Sequence, residues 1–289
     1  MIFLNNGHFN TDYEVLKTIR NNGFETVCLA KNKIDNLDYT VTKLAVKNNI
    51  PSRELLLQRF NKISQIKDEG VISYEKSWWE IPDSWDFEED ALSAGEEESE
   101  DDNAASKNTG PYLNCYIVTE FFSEYTLENW LKENTSLQSR SSVSVFISDL
   151  LNALGYIHEK GVIHGNLNPR SIFVKFSDPE RTWAKLKIGD FSFASRVPTQ
   201  SMYLAPKQTP GENISQAGDY FALGLIGIEL IHPMASDEEK KAVFDKRRHG
   251  DLLSSILKES ERTSKLILAM TSEHPEHRKE AVTMLNSSF

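Results

Sequence analysis

A chain of 289 residues, 39% hydrophobic and 26% charged, has enough apolar mass for one large domain or two lobes. Two cysteines exclude a disulfide framework, and the longest apolar run, residues 221–231, falls far short of a membrane span and contains Glu229. The net charge of −11 is concentrated in residues 86–102, which hold ten acids and no base, so the remainder is close to neutral; with no basic patch carrying interleaved aromatics, nucleic-acid binding is not expected. The opening residues, MIFLNNGHFN, have no basic n-region of a signal peptide. A cytoplasmic protein with no membrane partner is the expectation.

Up to about residue 85 short β-like runs dominate. ETVCLAKNK and DYTVTKLAV flank Asp35 and Asn36, which predicts a hairpin. PSRELLLQRFNKISQI predicts a helix opened by Pro51 and Ser52, with Leu56, Phe60 and Ile63 recurring on one face. The acidic stretch has too few large apolar residues to offset its ordering entropy and is expected to be a disordered insert over about 86–111. NCYIVTEFF (114–122) resumes the sheet. SSVSVFISDLLNALGYIHEKG then places Val143, Ile147, Leu150, Leu154 and Ile157 on one helical face and stops at Gly161. AGDYFALGLIGIELIHP is apolar all round, as a buried central helix should be, and ends at Pro233.

HGNLNPRSIF (164–173) is similar to a known catalytic loop, H-R-D-L-x-x-x-x-N. Other motifs follow the same family's order: Gly23-Phe24 at the glycine-rich loop, YTVTKL, the hinge-like TEFF, KIGDFS, Ala205-Pro206-Lys207, DYFALG with Asp219, and Arg278 in HPEHR. On these residues nearly the whole chain resembles a protein kinase. HFNTDYEVLKTI, the Trp pair after ISYEKS and FFSEYTLENWL resemble the kinases of the alpha subunit of translation initiation factor 2, with the Wee-type kinases as runner-up. The resemblance implies a two-lobed α+β fold. A small antiparallel-sheet lobe with one main helix would span 1–122, insert included, and a larger helical lobe 123–289.

Phosphoryl transfer depends on positioning and charge stabilisation, so each substituted position has an assignable cost. The alignment puts Arg20, Asn22 and Glu25 on the three glycine positions, and Glu25 brings negative charge toward a polyanion. The β3 lysine falls on Thr42; Lys43 is adjacent, but strand side chains alternate faces. The helical glutamate falls on Arg59, with Glu54 five residues away. Asn166 replaces the aspartate that orients the attacking hydroxyl, Asn168 the loop lysine, Ser171 the metal-binding asparagine and Gly165 the arginine before the catalytic aspartate. Asp190 survives as the one metal ligand, leaving magnesium disfavoured. Val27, Lys43, Thr119, Glu120, Phe122 and Asp190 are remnants of a nucleotide site and leave room for weak ATP binding, with no cofactor as the default. Lys207 replaces a glutamate that would pair with Arg278, which implies a like-charge contact. His164, Phe191, Asp219 and Arg278 retain scaffold roles, with Ile63, His164 and Phe191 forming a stacked spine. The implied protein is catalytically inactive, a pseudokinase.

Two surfaces carry the implied partner role. Asp12, Asp35, Tyr39 and Tyr74 match positions through which kinases of this group pair back to back by their small lobes, His8 standing where Asp12 would have an arginine partner. The helix around Phe244 matches the one that docks the initiation factor. The leading expectation is an interaction protein that forms a homo- or heterodimer with a related active kinase, or captures its substrate, and so tunes translation under stress. A nucleotide-binding switch and a weakly active serine/threonine kinase are the alternatives.

Overall fold

The computed structural model describes residues 7–82, 112–134, 143–178, 184–191, 201–206, 208, 213–251 and 253–287. The acidic insert expected over 86–111 and Lys207 lie outside the described residues. The chain divides into two compact units, one of residues 1–64 and 73–121, the other of 65–72 and 122–289.

In the first unit, β1 (Tyr13–Asn21), β2 (Glu25–Asn32), β3 (Asp38–Lys47), β4 (Tyr74–Glu80) and β5 (Tyr112–Glu120) form an antiparallel sheet of order β1-β2-β3-β5-β4. The expected β2–β3 hairpin is present. Its reversal is made by Asn36 at φ 61°, a left-handed conformation that asparagine tolerates, while Asn32 Oδ1 accepts the N–H groups of Ile34 and Asp35. One face buries Tyr13, Cys28, Ala30, Val41, Tyr116 and Val118, with Phe9, Tyr39 and Trp78 packed against them. The other receives α2 (Ile50–Ile63) through Leu56, Phe60 and Ile63. This helix starts one residue ahead of the expected Pro51, because Asn49 is the cap, its Oδ1 accepting the Ser52 N–H at 3.0 Å.

A five-residue helix, α1 (His8–Asp12), is the element that the sequence pattern hides. Glu80, 6% exposed, holds it: one carboxylate oxygen accepts both the Phe9 N–H at 2.9 Å and the Trp78 indole N–H at 2.7 Å. A carboxylate at a helix N-terminus satisfies an orphan donor and opposes the positive end of the helix dipole.

The second unit contains α3 (Leu127–Glu133), α4 (Val143–Glu159), the hairpin β6 (Ile172–Phe176) and β7 (Ala184–Ile188), α5 (Gln216–Ile231), α6 (Asp237–Arg248), α7 (Ser254–Leu257), α8 (Glu261–Met270) and α9 (Glu280–Asn286). All five residues expected on the inner face of α4 are buried, and Gly161 takes φ 70° beyond its end. From Gly218 to Ile231 every residue of α5 is buried. Close packing there requires Gly224, where a Cβ would overlap Thr271. Residues 65–72 join this unit through paired backbone: Ile72 donates to Ile188 and Ile188 to Gly70, each at 2.8 Å.

Removing the Glu80 carboxylate should release α1 and leave the Trp78 indole without its acceptor. Glu80→Ala is expected to cost about 1.5–3 kcal/mol, the range for hydrogen bonds to a charged group. Urea unfolding checks this, and an unchanged midpoint would show that α1 is held otherwise.

Candidate functional site

Asp219, 3% exposed in the first turn of α5, organises the loop that runs from His164 to Ser171. Its Oδ2 accepts the His164 N–H at 2.8 Å and meets His158 Nε2 at 2.9 Å, while Oδ1 accepts the Gly165 N–H at 2.9 Å. His164 continues the chain of bonds. Its Nε2 faces the Gly189 carbonyl at 2.8 Å and its Nδ1 the Asn166 N–H at 3.3 Å. A carbonyl only accepts and an amide N–H only donates, so the ring carries its proton on Nε2. The ring lies 5.1 Å from that of Phe191.

This network fixes the end of β7. Gly189 donates its N–H to the Ser171 carbonyl and has no room for a Cβ against Ile72 and Phe173. Asp190 follows at φ 54° and is exposed, so its carboxylate is presented to solvent by a backbone locked on the preceding residue. Asn166 is exposed as well. Ser171 is not: it is 1% exposed, and its hydroxyl accepts the Asn168 N–H and donates to the Asn168 carbonyl in a capping box around the short 3₁₀ turn Pro169–Ser171. Asn168 completes that turn by accepting the Arg170 N–H and donating to the Asn166 carbonyl. A hard divalent cation needs exposed oxygens, which Asp190 offers and Ser171 does not.

In the first unit the β3 register runs through Thr42 and Lys43 without a shift. Thr42 pairs with Val27 and Ile117, Lys43 with Thr26 and Tyr116. Val27, Thr42 and Thr119 therefore share one face, and Lys43 lies on the opposite, aromatic face. Its grouping with the nucleotide remnants is corrected by this alternation. Glu120 accepts the Ser73 N–H at 2.8 Å. Phe122, in the second unit, lies under the ammonium groups of Lys175 and Lys187, 5.7 and 5.1 Å from its ring centre. Arg59 and Glu54 are on α2, Arg59 half-buried and Glu54 exposed.

The turn aligned with the glycine-rich loop is closed on itself. Asn22 Oδ1 accepts the N–H groups of Glu25 at 2.8 Å and Phe24 at 3.2 Å, and Asn21 Oδ1 accepts that of Gly23 at 3.0 Å. Arg20 and Glu25 pair at 2.9 Å. The amides that a phosphate would need are occupied by carboxamide oxygens, a role for Asn21 that the alignment does not suggest.

Of the expected interface residues, Asp35 and Tyr39 come together: the phenol donates to Asp35 Oδ2 at 2.8 Å, which pushes the Tyr39 pKa up to about 12. Asp12 pairs within the chain with His8 at 3.1 Å. Tyr74 does not join them. A bulge between Tyr74 and Lys76 puts it on the α2 face, stacked 6.2 Å from Phe60 with its hydroxyl donating to Ser77, and burial raises its pKa. Phe244 needs a plainer correction. It is 0% exposed, its ring 5.5 Å from that of Tyr203, so it cannot dock a partner. Its neighbours form a cluster that the sequence does not disclose. Tyr203 donates to Glu229 at 2.7 Å, Lys240 meets the other oxygen of Glu229 at 2.5 Å, and Arg248 donates to the carbonyls of Met202 and Leu204. Arg278, 2% exposed, rests on carbonyls instead of a carboxylate: Nε donates to Ser272, NH1 to Ala217, and the guanidinium lies 4.8 Å over Phe221, burial lowering its pKa to about 10. Lys207, the other member of the expected like-charge contact, lies outside the described residues.

Comparison with known proteins matches residues 100–289 to the protein kinase domain. The chain is 28% identical to the mouse (Mus musculus) "Interferon-induced, double-stranded RNA-activated protein kinase" over 96% of its own length and 51% of that protein. It is 29% identical to the Caenorhabditis elegans "Eukaryotic translation initiation factor 2-alpha kinase pek-1" over 63% of this chain and 19% of that one. It is 23% identical to the Arabidopsis thaliana "eIF-2-alpha kinase GCN2" over 99% and 25% respectively. The chain thus spans about half the length of the first of these relatives and less of the others. These findings overturn the expectation that the protein is not an enzyme, since a kinase domain whose relatives are protein kinases points to one. Among the described residues no helix is long and apolar enough to cross a membrane. With a two-unit fold, an aspartate-held loop and a match over most of its length, the chain belongs to the protein kinase domain family and is related to the initiation-factor-2-alpha kinases.

Proposed function

We propose that this chain is an atypical serine/threonine protein kinase of the initiation-factor-2-alpha group that works chiefly by association in the cytoplasm. It pairs through its small lobe with a related kinase, or takes up that kinase's substrate, and so adjusts phosphorylation of the factor's alpha subunit. The observation that carries this reading is the β2–β3 corner. There the Asp35–Tyr39 pair is pre-organised between two outward apolar side chains, Ile34 at 82% and Leu37 at 58% exposure. A tyrosine with apolar neighbours and a polar rim has the composition of an interface core. Two free cysteine thiols suit a reducing compartment.

Phosphate transfer in this reading rests on Asp190, the exposed carboxylate that would hold a magnesium ion, whose charge would offset that of the transferred group. Asn166 can accept a hydrogen bond through its carbonyl but is a poor proton acceptor, so transfer should be slower by roughly 10²- to 10⁴-fold than with an aspartate there. Nucleotide phosphates gain little from the β1–β2 turn while Asn21 and Asn22 fill its amides.

Titrating the protein into an active initiation-factor-2-alpha kinase should change phosphate on the alpha subunit in a dose-dependent way, and Asp35→Asn with Tyr39→Phe should weaken that change several-fold. A flat response from wild type would dismiss pairing. Radiolabel transfer by the purified chain should be slow and lost in Asp190→Ala; transfer that survives the substitution does not come from this site. Asn21→Gly/Asn22→Gly should enlarge the melting-temperature rise given by magnesium-ATP, and no gain would mean that the turn's amides are not the limiting contact.

A further inference from the structure

The β1–β2 turn also assembles the parts of a different reaction. Asn21, Asn22 and Gly23 are exposed, Gly23 has φ 89°, and nothing lies within 4 Å of where its Cβ would be. Two amide donors converge on Asn22 Oδ1, at 2.8 and 3.2 Å. Paired backbone N–H groups on a carbonyl oxygen polarise its carbon and stabilise negative charge that develops on the oxygen. The Gly23 N–H, meanwhile, donates to Asn21 Oδ1 at 3.0 Å. A carboxamide oxygen is too weak a base to take that proton, so this bond holds it back from solvent base and sets how often the nitrogen can react. The polarised carbon, Cγ of Asn22, and the nitrogen of Gly23 are the two atoms whose joining closes a five-membered imide. Glycine offers no side chain to obstruct that closure.

We propose that Asn22 is a self-modification site, deamidated in the folded protein through a succinimide with Gly23. The Gly23 nitrogen gives its proton to solvent hydroxide and forms a bond to Asn22 Cγ. The displaced electron pair moves onto Oδ1, between the Phe24 and Glu25 amides. As the carbonyl re-forms, the Cγ–Nδ2 bond breaks, and the nitrogen takes a proton from water and leaves as ammonia. Water then opens the imide at either carbonyl, giving aspartate or isoaspartate; one water is consumed, one ammonia released, and nothing is oxidised or reduced. The product places a carboxylate beside Glu25, where both compete for Arg20, now 2.9 Å from Glu25. IsoAsp additionally lengthens the main chain by one carbon next to the Asn21–Thr26 pair that closes the sheet. A turn with a single acid becomes one with two, less hospitable to any polyphosphate, at a rate set by its own geometry. This holds whichever partner the protein has.

The test follows the intact chain in mildly alkaline buffer, sampled over days, digested and mapped by mass spectrometry that separates aspartate from isoaspartate. The reference is the synthetic peptide of residues 19–27 in the same buffer. Asn22 in the folded chain should convert several-fold faster than in the peptide. Asn21→Ala, which frees the Gly23 N–H, should speed the folded chain several-fold at unchanged melting temperature, and Asn22→Gln should abolish the modified peptide. Conversion in the folded chain equal to or slower than in the peptide would mean that the turn protects Asn22, and the proposal would be wrong. A rate indifferent to Asn21→Ala in a folded variant would equally overturn the role given to Asn21.

Discussion

One buried carboxylate sets the architecture of the larger unit. Asp219 has been removed from water, and an isolated charge in that position would be prohibitively costly. It is tolerated because two backbone amides and an imidazole converge on it. Those partners come from α4 and from the loop after it, so the same bonds that satisfy the charge also fix the path of residues 164–166. From there His164 passes the constraint to Gly189, and Gly189 to the placement of Asp190. The position of the exposed acid is therefore decided several bonds away, by an acid that is itself closed off from solvent.

Polar groups in this protein are treated in two opposite ways. Around Asp219 internal bonding orients the loop while leaving Asn166 and Asp190 open to solvent. In the β1–β2 turn, and at Ser171, internal bonding consumes the donors and hydroxyls that a ligand would use. Both are stable solutions to the same requirement, that polar groups not be left without partners. They differ in what remains available to something outside the protein.

Much of this can be read along the chain. Period 3.6 reveals the inner face of α4, uniform apolarity marks α5, and strand alternation alone separates Thr42 from Lys43. What does not show are features decided at a distance or by a single residue. Helix α1 is five residues long and owes its stability to a glutamate 71 positions away. Grouping Tyr74 with Tyr39 assumes unbroken alternation; one bulge reverses the face of what precedes it. Phe244 sits in a run of charges that reads as a solvated helix, and only Tyr203 beneath it reveals why one large apolar residue is there. His158 carries no signal apart from its place at the end of α4. The asparagine carboxamides are legible as substitutions but not as caps, since capping depends on where the neighbouring amides point.

Helix α6 grips the strip Met202–Leu204 with side chains four residues apart: Lys240 through Glu229 and the tyrosine hydroxyl, Phe244 on the ring, Arg248 on two carbonyls. That spacing is one helical turn, so the three contacts mesh like teeth on a rack. The helix cannot roll by one residue about its axis without disengaging all of them together, and a small slide along it is blocked by the guanidinium, whose remaining arm is held by Asp245. Helix and strip are thus keyed to one register by three contacts spaced one turn apart.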